Sequence, residues 1–229
     1  MANVEQGRNE RWQEWYPTVR PDLHISLERS PYGQPNNETL ALFESLPVGS
    51  SIGDIGGGEG RYALPLSRMG HKVLVTDVDF PHLARANEKK TLPGVRGDIF
   101  SIQSDATSEL AIQDNSLDAA LNAGFGYLIP PDGLADLFDK MVKAVKPNGL
   151  IVFEFATNRD RRPNKDSIDS LIGPKEYNYS KKKGLNVLGE LFNKHGLEDR
   201  VHKEKTIHLE EPYYLHNDLL IVAGRKPKN

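Results

Sequence analysis

Apolar positions along the chain recur with two different periods, and the switches between them mark out its elements. From about residue 50 onward, short β-branched runs alternate with helical patterns. "SSIGDIGG" reads as a strand, "RYALPLSRMG" as a helix stopped by Gly70, and "KVLVTD" (72–77) as a second strand. "PHLARANEKK" (81–90) follows as a helix that Pro81 begins, since the fixed φ of proline suits a first helical turn. "IFSIQSD" (99–105) and "SLDAALNA" (116–123) supply a third and a fourth strand. In "PDGLADLFDKMVKAVKPNG", Leu134, Leu137, Phe138, Met141, Val142 and Val145 fall on one helical stripe, which "KPNG" ends. "LIVFEFAT" (150–157) is nearly all apolar, the pattern of a strand buried on both faces. "LNVLGELFNKHG" predicts a last helix closed by Gly196, and "RVHKEKTIHL" and "LLIVAGRK" two further strands with no helix between them. Strands alternating with helices imply a mostly parallel sheet covered on both faces, and the helix-free pair at the end implies one antiparallel strand.

Two segments stand outside this rhythm. Residues 1–49 hold Trp12, Trp15 and Tyr16, a proline-punctuated stretch and a short predicted helix, "ETLALFESLP". They are expected to form an N-terminal helical lid or substrate segment ahead of a main domain over 50–229. Residues 158–180 are longer than an ordinary connection, and insertions of that length in a compact domain are commonly binding elements.

Composition narrows the chemistry. At 229 residues with 38% apolar content, the chain is long enough to bury a core. It contains no cysteine, which excludes disulfide scaffolds, thiolate metal sites and a cysteine nucleophile. A net charge of -3 gives no global attraction to nucleic acid. Residues 1–10 lack the apolar stretch of a signal peptide, and no run is long enough to span a bilayer, so a cytoplasmic protein without membrane partners is expected. The histidines show no metal-ligand spacing, so no metal site is expected. The oligomeric state is left open.

The chemistry concentrates in a loop that follows the first strand and opens a helix, with glycine at 56, 57, 58 and 60. A phosphate-binding P-loop would end in Gly-Lys-Ser/Thr, but this one ends Gly60-Arg61-Tyr62. A dinucleotide fingerprint wants glycine or alanine where Arg61 stands. Asp54 and Glu59 set two carboxylates beside any bound pyrophosphate, which they would repel. A loop of free N–H groups with acidic neighbours suits S-adenosylmethionine, whose sulfonium and ammonium are cationic and whose third charge is a carboxylate.

The ordered set of motifs resembles the class I S-adenosylmethionine-dependent methyltransferases. "DIGGGEG" (54–60) is similar to the family's first motif, with Asp54, Gly56, Gly58 and Gly60 on its key positions. "VLVTDVDFPHLARA" places Asp77, followed by Val78, where the family binds the ribose with an acidic residue at the end of strand two; Asp79 is a rival for that role. "SDATS" supplies Asp105 for the adenine amino group and Ala106 for a backbone N–H. The resemblance covers roughly 48–157 strongly and continues more weakly to 225. It implies a Rossmann-like, seven-stranded, mostly parallel sheet with helices on both faces and an antiparallel last strand, with S-adenosylmethionine as cofactor.

The segment after strand four faces the transferred methyl in that family. Here it reads "NAGFGYLIPP", without the Asn/Asp-Pro-Pro-aromatic pattern that grips exocyclic amines of bases. Asn122 joins the cofactor set and, with Tyr127, lines the acceptor side. His216, in "EEPYYLHND", is the leading base if that loop folds over the site, and Tyr127 is the second catalytic candidate. Trp15, Tyr16, Asn158 and Tyr213 are the candidate substrate contacts. Residues 159–183 carry eight basic against four acidic side chains with Tyr177 and Tyr179 interleaved, a run that reads as a solvated face. The expected activity is methyl transfer to a nitrogen or oxygen of a small metabolite. The alternatives are an RNA or peptide methyltransferase that uses the basic run, or a nucleotide-binding module without transfer activity.

Overall fold

A computed structural model describes residues 27–28, 34–126, 129–157, 179–209 and 215–228, with the side chains of 206–209 and 215–218 outside that description. Seven strands form one sheet: β1 (Ser51–Ile55), β2 (Lys72–Asp77), β3 (Ile99–Gln103), β4 (Leu117–Ala123), β5 (Val145–Thr157), β6 (Glu198–Leu209) and β7 (Leu215–Arg225). Their order is β3-β2-β1-β4-β5-β7-β6. Six strands run parallel, and β7 is antiparallel to both of its neighbours, β5 and β6. This bears out the fold expected from the alternation of strands and helices. Among the described residues the α-helices are α1 (Asn37–Ala41), α2 (Ala63–Arg68), α3 (Phe80–Glu88), α4 (Pro131–Ala144) and α5 (Lys181–Lys194).

The chain divides into two compact units, Met1–Ala111 and Ile112–Asn229. In the first, β1, β2 and β3 pair in parallel, Asp54 opposite Val75 and Asp77 opposite Gln103. Ile52, Ile55, Val73 and Val75 are fully buried, so the centre of this sheet is anchored by β-branched side chains. α1 is capped by Asn36, whose side chain accepts the N–H of Glu38 at 3.0 Å. α3 begins one residue earlier than the proline-led pattern suggested, because Asp79 serves as its N-cap and accepts the N–H of His82.

In the second unit the predicted stripe on α4 is the core-facing one, with Leu134, Leu137, Phe138 and Met141 fully buried. Phe138 stacks on Phe153 of β5 at 5.2 Å and meets Phe192 of α5 at the same distance. α4 stops at Ala144 and β5 starts at once with Val145, five residues sooner than the apolar run suggested. The early start pairs Val145 with Leu117, and the register then jumps so that Leu150 meets Ala119. Asn148, at φ 63, turns the chain within that irregularity, as asparagine does more readily than most residues. The last two strands also differ from the expectation. β7 begins at Leu215, so His216 lies in a strand opposite His208, where a loop was expected.

Candidate cofactor site

The glycine loop lies wholly within the first unit, and its geometry follows from where side chains are absent. Gly56, Gly58 and Gly60 have φ of 67°, 55° and 71°, a region that side chains other than Asn and Asp rarely occupy. Gly57 has another reason to be glycine. A Cβ there would lie 2.6 Å from Cγ of Asp54 and 2.9 Å from Cγ1 of Val75. Gly60 packs against the helices, since its Cβ would meet those of Ala63 on α2 at 3.0 Å and Ala86 on α3 at 3.2 Å.

The loop's backbone donors are turned inward. Gly57 donates to the carbonyl of Thr76 at 3.0 Å, Gly60 donates to that of Gly57 at 2.9 Å, and Gly58 donates to Oδ2 of Asp77 at 2.9 Å. The free N–H groups expected from the sequence are therefore engaged within the protein at three positions. A loop that uses its donors in this way is poorly equipped to cradle a pyrophosphate, which needs them.

Asp77 closes β2 and is half-buried. Its Oδ1 accepts the N–H of Asp79 at 3.0 Å, so each carboxylate oxygen holds one backbone donor and keeps lone-pair capacity for another. Burial pushes the Asp77 carboxyl above the usual carboxylate value, opposed by the Asp79 N–H, nearby His82 and the Gly58 N–H. Asp79 is 4% exposed and faces its own helix, as cap to His82 and at 3.7 Å from its ring. That geometry separates the two rivals: Asp79 holds α3, and Asp77 faces the loop.

The two carboxylates set against a phosphate in the sequence reading are not presented to a ligand. Asp54 is 2% exposed in β1, beneath Gly57. Glu59 is 1% exposed and meets Nε of Arg85 on α3 at 3.0 Å. Neither one is placed to repel a pyrophosphate directly, as was expected of them, and it is the inward-turned donors that disfavour such a ligand.

After β3, Asp105 Oδ1 accepts both the N–H of Thr107 at 2.9 Å and its hydroxyl at 2.6 Å, a tight Asx turn that fixes this loop. Ala106 is buried beside it. Val78, directly after Asp77, is half-buried, and Nε2 of Gln103 donates to its carbonyl at 2.8 Å. The end of β2 is thus tied to the end of β3 by a side chain that the sequence reading did not single out.

In the second unit, Asn122 is fully buried in β4 and its Oδ1 accepts the N–H of Gly126 at 2.8 Å, folding the chain back just after the strand. Glu154 is buried in β5. Tyr127, Trp15, Tyr16, Asn158 and Tyr213 lie outside the described residues, as do positions 158–178 of the insertion and the side chain of His216. No described helix is long and apolar enough to cross a membrane.

Residues 52–149 match the family model of the methyltransferase domain. This stretch resembles a methyltransferase domain. It contains every described residue that the sequence reading assigned to the cofactor, from Asp54 to Asn122. S-adenosylmethionine, the cofactor expected from the motifs, agrees with that match. No curated protein matches the chain in sequence.

Solved structures share the fold at low identity. A methyltransferase from Methanosarcina mazei superposes with a TM-score of 0.63 at 17% identity, over 82% of this chain and 98% of that one. TehB from Haemophilus influenzae gives 0.63 at 17% identity, over 84% of this chain and 62% of that one. Phosphoethanolamine N-methyltransferase 2 from Haemonchus contortus, holding S-adenosylmethionine, gives 0.61 at 18% identity, over 83% of this chain and 52% of that one.

Proposed function

We propose that the protein transfers the methyl group of S-adenosylmethionine to a nitrogen or oxygen of a small-molecule metabolite. The carrying observation is the pairing of Gly58 with Asp77, which sets an acidic pair of acceptors directly across from the glycine loop. In this reading Asp77 accepts both ribose hydroxyls through the lone pairs its backbone donors leave. Val78 lies along the adenine, Asp105 meets the adenine amino group through Oδ2, and the N–H of Ala106 faces the ring. Gly56, Gly58 and Gly60 let the backbone pass close to the methionine portion, and Asn122 is a further proposed cofactor residue.

The reaction needs little chemistry from the protein. A lone pair on the acceptor attacks the methyl carbon as the carbon–sulfur bond breaks, and S-adenosylhomocysteine leaves with that electron pair. Alignment and desolvation alone can supply about 7–11 kcal/mol of the barrier. An acceptor that carries a proton at working pH loses it to a base, for which His216 and Tyr127 are the candidates, a contribution of about 10²–10⁴-fold. Trp15, Tyr16, Asn158 and Tyr213 are proposed to contact the acceptor.

A small acceptor is favoured over a nucleic acid by the absence of the Asn/Asp-Pro-Pro-aromatic pattern after β4 and by the state of the lysines at the start of α5. Lys181 pairs with Glu204, and Lys183 lies 5.4 Å from the centre of the Tyr179 ring. The Haemonchus protein, named for methylating the nitrogen of phosphoethanolamine, shows that such a fold serves a small amine. Tritiated-methyl transfer into fractionated metabolite and RNA pools tests the proposal: label in a small-molecule fraction is expected, and label in RNA alone would refute it.

A further inference from the structure

Glu59 is the one position of residues 56–60 that carries a side chain, and that side chain is buried and turned away from the site. Four glycines leave this backbone with little intrinsic constraint, because glycine loses more conformational freedom on ordering than any other residue. Such a loop keeps one geometry only if it is pinned. Two pins are backbone bonds to β2, from Gly57 to the Thr76 carbonyl and from Gly58 to the Asp77 carboxylate. The third is the ion pair between Glu59 Oε1 and Arg85 Nε, 3.0 Å apart, with Arg85 19% exposed.

The third pin closes a ring. Asp77 accepts the N–H of Asp79, Asp79 caps α3, α3 carries Arg85, Arg85 holds Glu59, and Glu59 follows Gly58, which returns to Asp77. Ala86, next to Arg85, lies against Gly60, so α3 meets the loop through an ionic contact and a steric one at adjacent residues. One turn further on, Lys89 is 2% exposed and donates to the carbonyl of Leu27; burial lowers its amine's proton affinity below the usual value, with Glu59 opposing. Glu28 and Arg85 are the other charged groups acting on Lys89.

We propose that Arg85 is a positioning residue for the cofactor, acting through Glu59 to hold the glycine loop at a fixed distance from Asp77. It does not touch the cofactor. A guanidinium suits this task, because it stays charged at any working pH and is more weakly hydrated than a lysine ammonium, so it pairs with a buried carboxylate at lower cost. The inference rests on the reading that the loop and Asp77 bind S-adenosylmethionine.

The test is calorimetric titration of S-adenosylhomocysteine into the full chain, run well below each variant's unfolding midpoint. Arg85→Met leaves a buried carboxylate without the guanidinium beside it, so Glu59→Gln and the double variant Glu59→Gln/Arg85→Gln accompany it. Affinity is expected to fall about tenfold in Arg85→Met, an amount within the range measured for coupled neighbours. Arg85→Lys should recover part of that loss. In the double variant, where two neutral amides can still bond, affinity should lie closer to wild type than in Arg85→Met. Arg85→Met and Glu59→Gln that melt earlier yet bind with wild-type affinity would show a purely structural pair and overturn the proposal. Asp77→Ala is the control that keeps the two readings apart. If it binds normally, the cofactor site itself is misassigned; if it binds poorly while the Arg85 and Glu59 variants bind normally, only the positioning role fails.

Discussion

Gly58 and Asp77, nineteen positions apart, are joined by a 2.9 Å hydrogen bond from the glycine N–H to the carboxylate Oδ2. The bond ties the loop after β1 to the end of β2, so the two motifs are one structure rather than two neighbours. It also orients the carboxylate, because the Asp79 N–H holds the other oxygen at 3.0 Å. A carboxylate fixed at both oxygens presents its remaining lone pairs in set directions, which is what two adjacent hydroxyls require.

Asp77→Ala is therefore expected to weaken S-adenosylhomocysteine binding by one or more powers of ten, since hydrogen bonds to a charged group are worth about 1.5–3 kcal/mol each. Asp105→Asn should weaken it less, because its Oδ1 still accepts from Thr107 and holds the loop, so the proposed bond to adenine is lost while the backbone N–H of Ala106 stays in place. Calorimetry on both variants measures the difference. Wild-type affinity in Asp77→Ala would remove the residue from the site.

The raised proton affinity of Asp77 gives a pH dependence with a definite sign. Unfolded, the carboxyl ionises near its ordinary value of 3.8; folded, burial raises it, while the Asp79 N–H, His82 and the Gly58 N–H oppose the rise. Across the window between those two values the native state binds more protons than the unfolded one. The group's contribution to stability is thus present below the unfolded value and lost as pH rises through the folded one. Ligand binding is expected to run the other way, because in the proposed site the ribose hydroxyls would donate to the ionised form. Affinity for S-adenosylhomocysteine should fall on acidification starting above the pH expected of an ordinary carboxylate. Titrations from pH 7 downward check this, and a profile shared by Asp77→Ala would assign the effect to another group.

The sequence was legible where a residue's type answers to one physical demand. The stripe on α4 and the apolar run of β5 each have one way to be buried, and both are found in the core. Asp77 stood out because it falls at the end of the second strand, where the methyltransferases that the motifs resemble carry an acidic residue. Glu59 was misread because sequence alone does not tell which way a loop side chain turns. Its partner Arg85 lies 26 positions later on α3, in a stretch whose period identifies a helix but not what its polar face meets. Gln103 was missed for a similar reason, since a glutamine at a strand end is unremarkable until its bond to the Val78 carbonyl is seen. His216 fell in a strand because β7 starts at Leu215, where the crowded polar and aromatic residues before it read as loop.

Substituting Gly57 separates space from conformation. An alanine methyl would lie 2.6 Å from the Asp54 carboxyl carbon and 2.9 Å from Val75, both buried, and neither can move without disturbing β1 or β2. Overpacking of this kind costs about 1–3 kcal/mol, so Gly57→Ala should melt roughly 2–12 °C lower and bind cofactor poorly. Gly189 on α5 is the contrast, with no atom within 4 Å of a Cβ placed there. Gly189→Ala should leave binding unchanged and raise stability by about 0.5–1 kcal/mol. Differential scanning calorimetry on both variants reads the two effects.

Ligand choice follows from the inward-turned donors of the loop. S-adenosylmethionine and S-adenosylhomocysteine should raise the unfolding midpoint, because a ligand that binds only the native state stabilises it by mass action, by about 2.7 kcal/mol at a hundredfold excess over Kd. NAD and ATP should leave it in place. A larger shift with NAD than with S-adenosylhomocysteine would reverse the reading of the loop.

RNA binding through the basic run is expected to be absent near physiological ionic strength. Of the three consecutive lysines that open α5, Lys181 is engaged by Glu204 and Lys183 lies over the Tyr179 ring, so Lys182 is the member with neither of these partners. A phosphate backbone would have to compete for charges already in use, on a protein whose net charge is -3. Affinity built on phosphate contacts also carries a signature, since each neutralised phosphate releases counterions and some six to ten contacts lose about 10³–10⁵ in affinity between 50 and 200 mM salt. Filter binding with mixed RNA at low and moderate salt should show weak association at the first and none at the second. Replacing Lys181, Lys182 and Lys183 with alanine should change neither. Sub-micromolar binding that declines steeply with salt and vanishes in that triple variant would put an RNA acceptor ahead of a metabolite.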